Sequence, residues 1–171
     1  MSHTIGESLL PEFDAEMDHT RRILERVPEL EGAFTPHPKS MTLRRLAGHV
    51  AEMPLWAVMT LGHDEVDLGP DGDYAYKAYE LTRTSEALAF FDDQLRQARA
   101  LLVSATDETM ARNWSLKDHG TVYFTMPKAA VMRTFVLNHM VHHRAQLGVY
   151  LRMNDVPVPS IYGPSADEGN M

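Results

Sequence analysis

The sequence predicts an all-α protein, a single four-helix bundle formed by residues 1–171. Apolar residues recur at the three- and four-residue spacing of helix faces in four long stretches. Two of the connections between these stretches, residues 62–83 and 106–125, are long, as in bundles whose chain crosses from one end to the other. The 171-residue length suits one domain, and no internal repeat or low-complexity segment divides it.

The first two helices are predicted over residues 5–31 and about 41–62. In the second helix, Pro54 should cause a kink one turn beyond His49, because proline removes a backbone donor. Gly62 should end this helix. The apolar face of the first helix is formed by Leu9, Leu10, Phe13, Met17, Ile23, Leu24 and Val27.

The third helix is predicted to begin at a cap formed by Thr84 or Ser85. Its apolar face consists of Ala87, Leu88, Phe91, Leu95, Ala98 and Leu102. In the connection that follows this helix, Trp114–Leu116 and Thr121–Phe124 are predicted to be extended or to form a small hairpin, with the turn at His119–Gly120.

The fourth helix, Met126–Asn154, carries three of the nine histidines in the chain. At about 100° per residue, His139 and His143 lie in the middle of its apolar face, and His142 lies on the flank. Two imidazoles at positions i and i+4 of a buried helix face can reach one metal ion. The tail that follows, residues 155–171, is rich in proline and glycine, and it is predicted to fold back on the bundle.

His49 lies at the centre of the apolar face of the second helix, so packing of the two helices would bring it toward His139 and His143. Because the chain contains no cysteine, a metal ion must be held by His, Asp or Glu. Three imidazoles with an open position are the ligand set of catalytic zinc, and nickel, iron or manganese would also accept it. In the alternative, these are core histidines that hold hydrogen bonds and no metal.

Two residues near the predicted site are candidates for catalytic work. Glu52, about 60° from His49 on the second helix, is a candidate general base or a carboxylate that supports a metal ligand. In the alternative interpretation, Glu52 is a solvated residue on the flank of the helix. Gln146 faces inward on the fourth helix and is a candidate for orienting a ligand or substrate. His142, three residues after His139, competes with His143 for the ligand role. Its position on the flank of the helix assigns it instead to supporting a ligand or to an interface.

The charge balance limits the partners of the protein. Net charge is −8 with histidines neutral, which argues against a surface that binds nucleic acid or other phosphates. The N-terminal residues lack the apolar core of a signal peptide, and no apolar run approaches the roughly 20 residues of a membrane span. The sequence therefore predicts a cytoplasmic protein that acts on a small molecule, with no nucleic-acid or membrane partner.

Three segments carry a resemblance to a known family. LAGHVAEMP around His49, NHMVHHRAQLGVYLR in the fourth helix and VPVPSIYGPSADE after it resemble the DinB/YfiT-like family of metalloenzymes. The resemblance implies a four-helix bundle in the order up-down-down-up, often assembled as a homodimer. It also implies a divalent metal, commonly nickel or zinc, held by three histidines, which correspond to His49, His139 and His143. Leu137 and Val149, expected on outer helix faces, are compatible with the dimer.

The resemblance favours an enzyme without deciding the reaction. Some relatives are transferases or isomerases that use low-molecular-weight thiols, so the expected function is a thiol-dependent transferase acting on a small-molecule electrophile. The ion would bind the thiol and activate it as a thiolate. One alternative is a hydrolase that uses a metal-bound hydroxide and a base such as Glu52. Another is a non-catalytic stress protein that binds a metal or a ligand. An open coordination position favours catalysis, and a fourth protein ligand would favour a structural metal.

Overall fold

The computed structural model of the chain describes residues 3–29, 34–69 and 78–169. Its helices are α1 (Ile5–Leu24), α2 (Leu43–Ala51), α3 (Met53–Gly62), α4 (Thr84–Ser104), α5 (Asp107–Ala111), α6 (Lys128–Val131) and α7 (His139–Met153). A π-helical segment, Met132–Asn138, joins α6 to α7 without a break. Three strands complete the described fold: β1 (Glu65–Asp67), β2 (Asn113–Asp118) and β3 (Thr121–Pro127).

The predicted all-α class is wrong, because the two long connections between helices together form a small mixed sheet. Strands β2 and β3 form the antiparallel hairpin, and its turn lies at His119–Gly120, where both residues have positive φ. Strand β1, which was not predicted, lies in the first long connection and pairs in parallel with β2. A three-residue strand has no periodicity of its own, so only pairing with a distant segment reveals it. Residues 70–77 of that connection lie outside the described part.

The second predicted helix is two helices, α2 and α3, which meet at Glu52. Pro54 is the second residue of α3, and the chain changes direction here, one turn beyond His49, as predicted. The break turns the Glu52 side chain into the protein, where it is completely buried. Helix α3 ends at Gly62, as the sequence also predicted.

The ends of two other helices differ from the prediction. Helix α1 begins with a capping box, in which Thr4 and Glu7 each bond the backbone of the other, and it ends at Leu24 rather than at residue 31. Helix α4 begins at Thr84, and the residue before it makes no side-chain cap. The Thr84 hydroxyl instead donates to the carbonyl of Val27, so it joins the start of α4 to the segment after α1.

The core lies between the helices and continues under the sheet. Helix α1 packs on α4 and α7, α3 packs on α4 and the π-helical segment, and α2 packs on α7. The largest fully buried apolar side chains include Trp114, Phe13, Phe91, Leu9 and Met17. Leu137, expected on an outer face, is buried, whereas Val149 is 58% exposed. No helix in the described ranges is long and apolar enough to cross a membrane.

The tail folds back onto α1 and α7, in agreement with the sequence prediction. Arg144 is only 3% exposed and donates to the carbonyl of Glu16 on α1, while also binding the Glu16 carboxylate at 2.7 Å. The same guanidinium bonds the Tyr162 hydroxyl of the tail, and that hydroxyl donates to Glu16. Farther along the tail, Glu168 binds Arg22 at 3.1 Å. These contacts fix the outer side of α7, opposite the face that carries the histidines.

Candidate metal centre

Three imidazoles converge where α2 meets the start of α7. His49 lies near the end of α2, His139 is the first residue of α7, and His143 follows one turn later. The Nε2 atoms of His139 and His143 are 2.7 Å apart, and the Nε2 atoms of His139 and His49 are 3.4 Å apart. One ring nitrogen from each residue lies within 4.8 Å of the other two. The structure thus brings together the three histidines singled out in the sequence.

The spacing of these nitrogens fits a divalent ion. Nitrogens bound to zinc at 2.0–2.1 Å in tetrahedral geometry are about 3.3 Å apart. The His139–His49 separation matches this value, and the His139–His143 pair, at 2.7 Å, would need to open by about 0.6 Å. Within the described ranges, no carboxylate or further imidazole joins the group, so it offers three ligands.

Hydrogen bonds on the far side of each ring fix the tautomer of the three histidines. His49 Nδ1 lies 2.5 Å from Glu52 Oε1, and His143 Nδ1 lies 2.8 Å from Gln146 Oε1. Carboxylate and amide oxygens only accept, so both Nδ1 atoms carry the proton. The His139 ring bonds the backbone of Phe135, which also supplies an acceptor.

As a result, three Nε2 lone pairs point toward one another. Neutral imidazoles protonated at Nδ1 have no hydrogen on Nε2, so no hydrogen bond can join these atoms in that state. Lone pairs at 2.7 Å and 3.4 Å repel unless a cation or a proton lies between them. The hydrogen-bonding pattern around the rings is therefore that of metal-binding histidines, whose second nitrogen donates to a fixed acceptor.

Glu52 is the most strongly enclosed polar residue of the centre. It has no exposed surface, and its two oxygens serve different donors. Oε1 accepts from His49 Nδ1 and lies 3.5 Å from the Arg45 guanidinium, while Oε2 accepts from the backbone N–H of Tyr79 at 2.8 Å. A solvated position on the helix flank was the alternative predicted for this residue, and in the structure Glu52 lies in the interior instead, at the break between α2 and α3.

The side of the centre around His143 is open to solvent. Gln146, expected to face inward, is exposed, although its amide oxygen is bonded to His143. His142 is also exposed, and its ring lies edge-on to the His143 ring with 4.8 Å between centroids. Polar groups therefore border His143, whereas His49 is buried to 8% exposure.

Burial keeps His139 and His143 neutral. Burial lowers the pKa of His139, and the positive charge of a protonated His49 lowers it further. Burial also lowers the pKa of His143, to about 4; the hydrogen bond that His143 donates to Gln146 opposes this shift, and charge on the neighbouring histidines adds to it. Metal ions bind the neutral imidazole, so both rings are in the ligating state at neutral pH.

Two contributors to the centre were not singled out as site residues from the sequence. Tyr79 supplies a backbone N–H to Glu52, and a backbone donor in a loop leaves no signal in side-chain patterns. Phe135 lies within the predicted fourth helix. In the structure its backbone bonds the His139 ring, and the two rings are in contact, with 5.3 Å between centroids. Its position four residues before His139 is the signal that could have identified it.

The family of the chain follows from a comparison over its whole length. The model of the DinB family matches residues 1–170. The chain belongs to the DinB family. Among curated proteins, it is 25% identical over 167 residues to the uncharacterized protein YrdA of Bacillus subtilis (strain 168), covering 95% of this chain and 90% of that protein.

Solved structures of DinB-like proteins share the fold. A DinB-like protein from Bacillus cereus ATCC 10987 superposes with a TM-score of 0.69 at 22% identity, covering 95% of this chain and all of the other. The DinB-like protein YjoA of Bacillus subtilis gives a TM-score of 0.62 at 16% identity, covering 91% and 99%. At these identities the likeness establishes the fold. The chemistry has to be argued from the residues of this chain.

Proposed function

We propose that this DinB-family protein is a divalent-metal-dependent enzyme, and that it transfers a small thiol to a small-molecule electrophile. The observation that carries the proposal is the convergence of three Nε2 lone pairs from His49, His139 and His143, with no fourth protein ligand in the described ranges. Three protein ligands leave a coordination position for a reactant. An all-imidazole ligand set favours zinc or nickel over manganese, which prefers oxygen ligands.

The residues around the ligands would hold the site in its reactive form. An ion bound there would lower the pKa of a thiol and hold it as a thiolate at neutral pH. Glu52 keeps the Nδ1 proton on His49 and directs Nε2 of that ring inward. Gln146 does the same for His143 from the solvent side. Both residues therefore act in this proposal through a histidine, by positioning it.

The surroundings of Glu52 favour the transferase over the hydrolase. A hydrolase needs a base that can reach a water molecule at the open position. Both oxygens of Glu52 already accept hydrogen bonds, and the residue is completely buried behind His49. A thiol needs no such base, because its proton can pass to solvent on the exposed side of His143 once the pKa of the thiol is lowered.

The test measures metal content and thiol transfer in the same preparations. Protein purified without a polyhistidine tag is analysed by elemental mass spectrometry, beside the His139→Ala variant. It is then mixed with a small thiol and 1-chloro-2,4-dinitrobenzene. In this reaction a carbon–sulfur bond forms, the carbon–chlorine bond breaks, chloride leaves and the thiol proton passes to buffer. We expect turnover that requires metal and thiol and is lost in the variant.

Three results would overturn the proposal. Turnover that persists after a chelator has removed the metal would exclude a role for the ion in the reaction. Hydrolysis of an ester or amide substrate that continues in the absence of every small thiol, and that depends on the metal, would replace the transferase with the hydrolase. Absence of bound metal, with no uptake on addition, would leave the non-catalytic binding protein as the better interpretation.

A further inference from the structure

The three histidine rings have different neighbours. An aromatic cluster borders His139, exposed polar side chains border His143, and a buried carboxylate lies behind His49. The aromatic cluster consists of Phe135, Trp56, Phe124 and Trp114. A ligand held at the histidines would therefore meet an apolar surface on one side and polar groups on the other.

Phe135 belongs to this aromatic cluster and also touches the metal centre. Its ring centroid lies 5.3 Å from that of His139, and the two planes are tilted by 54°. The Phe135 side chain is half-buried, as are those of His139 and His143, so each of the three keeps part of its own surface exposed. Phe135 belongs to the π-helical segment that leads into His139, and such segments are frequent at functional sites.

The rest of the aromatic cluster holds the Phe135 ring in place. Trp56 packs edge-on against it, with 5.2 Å between centroids and 83° between planes, and Phe124 lies at 5.3 Å. Trp114, which is fully buried, lies behind both phenylalanines. A ring packed on several sides loses little conformational entropy when a ligand contacts its remaining face, so it is a favourable apolar subsite.

We propose that Phe135 is a specificity-determining residue, and that the centre prefers thiols carrying an aromatic or branched apolar group over small hydrophilic thiols. This inference rests on the proposed metal-dependent function and extends it to the class of reactant. An aromatic contact beyond simple burial changes affinity by about two- to tenfold. Burial of the apolar group adds to this preference.

Cobalt provides a readout that is independent of turnover. The chain contains no cysteine, so a thiolate-to-cobalt charge-transfer band in the cobalt-loaded protein comes from the added thiol alone. The probes are phenylmethanethiol and 2-mercaptoethanol, which have similar acidity and differ in the apolar ring. Cobalt stoichiometry is measured in every preparation before the thiols are titrated.

Two variants localise the preference. Phe135→Leu removes the ring and keeps the backbone carbonyl that bonds His139, and Phe135→Met is a second version that fills more of the space. Phe34→Leu is the matched control, because Phe34 is also a half-buried aromatic residue, packs edge-on against Tyr150 and has no ring contact with the aromatic cluster or the three histidines in the described structure. It removes a packed ring without changing the surface beside His139.

We expect the native protein and Phe34→Leu to bind phenylmethanethiol at least about tenfold more tightly than 2-mercaptoethanol, and this ratio to fall about fivefold in both Phe135 variants. Equal affinities for the two thiols in the native protein, or an unchanged ratio of these affinities in the Phe135 variants, would contradict the apolar subsite. Either result would leave the metal centre and the proposed function standing. Cobalt uptake without a charge-transfer band would overturn thiol binding. Failure to take up cobalt would overturn the metal centre and this inference together.

Discussion

Replacing Glu52 by glutamine tests the metal centre through a residue that is not a ligand. The two carboxylate oxygens accept from two donors, His49 Nδ1 at 2.5 Å and the Tyr79 backbone N–H at 2.8 Å. An amide has a single acceptor oxygen, so one of these buried donors would face an NH₂ group in the variant. The variant also loses the negative charge that holds the Nδ1 proton on His49.

The expected losses can be estimated from these contacts. Removing the hydrogen-bond partner of a metal-bound histidine lowers metal affinity by about 10- to 100-fold, or about 1.4–2.7 kcal/mol. Leaving one buried donor unpaired lowers the free energy of unfolding of the metal-free protein by about 1–3 kcal/mol. A domain of ordinary stability, about 5–15 kcal/mol, would remain folded, so the two effects can be measured separately.

The assay is a competition titration of metal-free protein with nickel against a chelator of known affinity. Urea denaturation of the same samples gives the change in unfolding free energy. Glu65→Gln is the matched control, because Glu65 is an exposed carboxylate on β1 that binds Lys117 at 2.7 Å. We expect native affinity in this control.

The dissociation constants decide the outcome. A folded Glu52→Gln protein whose nickel affinity lies within about threefold of the native value would refute the role of the carboxylate, which requires at least about tenfold. An equal loss in Glu65→Gln would show that the effect is not local to the centre.

Four further predictions concern the ligands, the protonation of the site, the packing and the assembly. His139→Ala should lose the roughly one equivalent of metal per chain expected for the site, whereas His142→Ala should retain it, by elemental mass spectrometry. The pKa of His143 is lowered to about 4 in the folded protein. As pH falls, the His143 side chain therefore takes up its proton in the unfolded chain before it does so in the folded protein. The unfolding free energy of the metal-free protein should therefore decrease between about pH 6.5 and 4, and the decrease should be smaller in His143→Gln. Lys128→Met should destabilise the protein by about 1–3 kcal/mol in urea, because the fully buried ammonium binds two carbonyls at the end of α3. If the protein is the homodimer that its resemblance implies, Val149→Asp should shift light scattering toward the monomer mass.

Each of these predictions has a result that would contradict it. Equal metal loss in the His139 and His142 variants would show that the ligand set has been misassigned. An unfolding free energy that is flat from pH 6.5 to 4, or equally steep in His143→Gln, would contradict the buried neutral imidazole. Lys117→Met is the control for Lys128, because its ammonium is partly exposed and binds only a surface carboxylate in the described structure; equal losses would contradict the role of burial. A native protein that already has the monomer mass by light scattering would contradict the predicted homodimer.

Local patterns in the sequence predicted the main helical stretches and two of the ligands. His139 and His143 share a face because a helix fixes the angle between positions i and i+4, whatever surrounds it. The kink near Pro54 and the end of α3 at Gly62 also follow from the conformational limits of single residues. The hairpin turn at His119–Gly120 belongs to the same class.

Only the tertiary structure decided which neighbours complete the centre and which fold class holds it. Glu52 is buried because the break between α2 and α3 turns it inward and Tyr79, 27 residues later, meets its second oxygen. Strand β1 exists because β2 lies beside it, and Arg144 is buried because Glu16 and Tyr162 neutralise and bond it from distant parts of the chain. Contacts of this kind depend on segments far apart in sequence, and the free energy that selects them arises from packing and from satisfying buried polar groups, which no local pattern records.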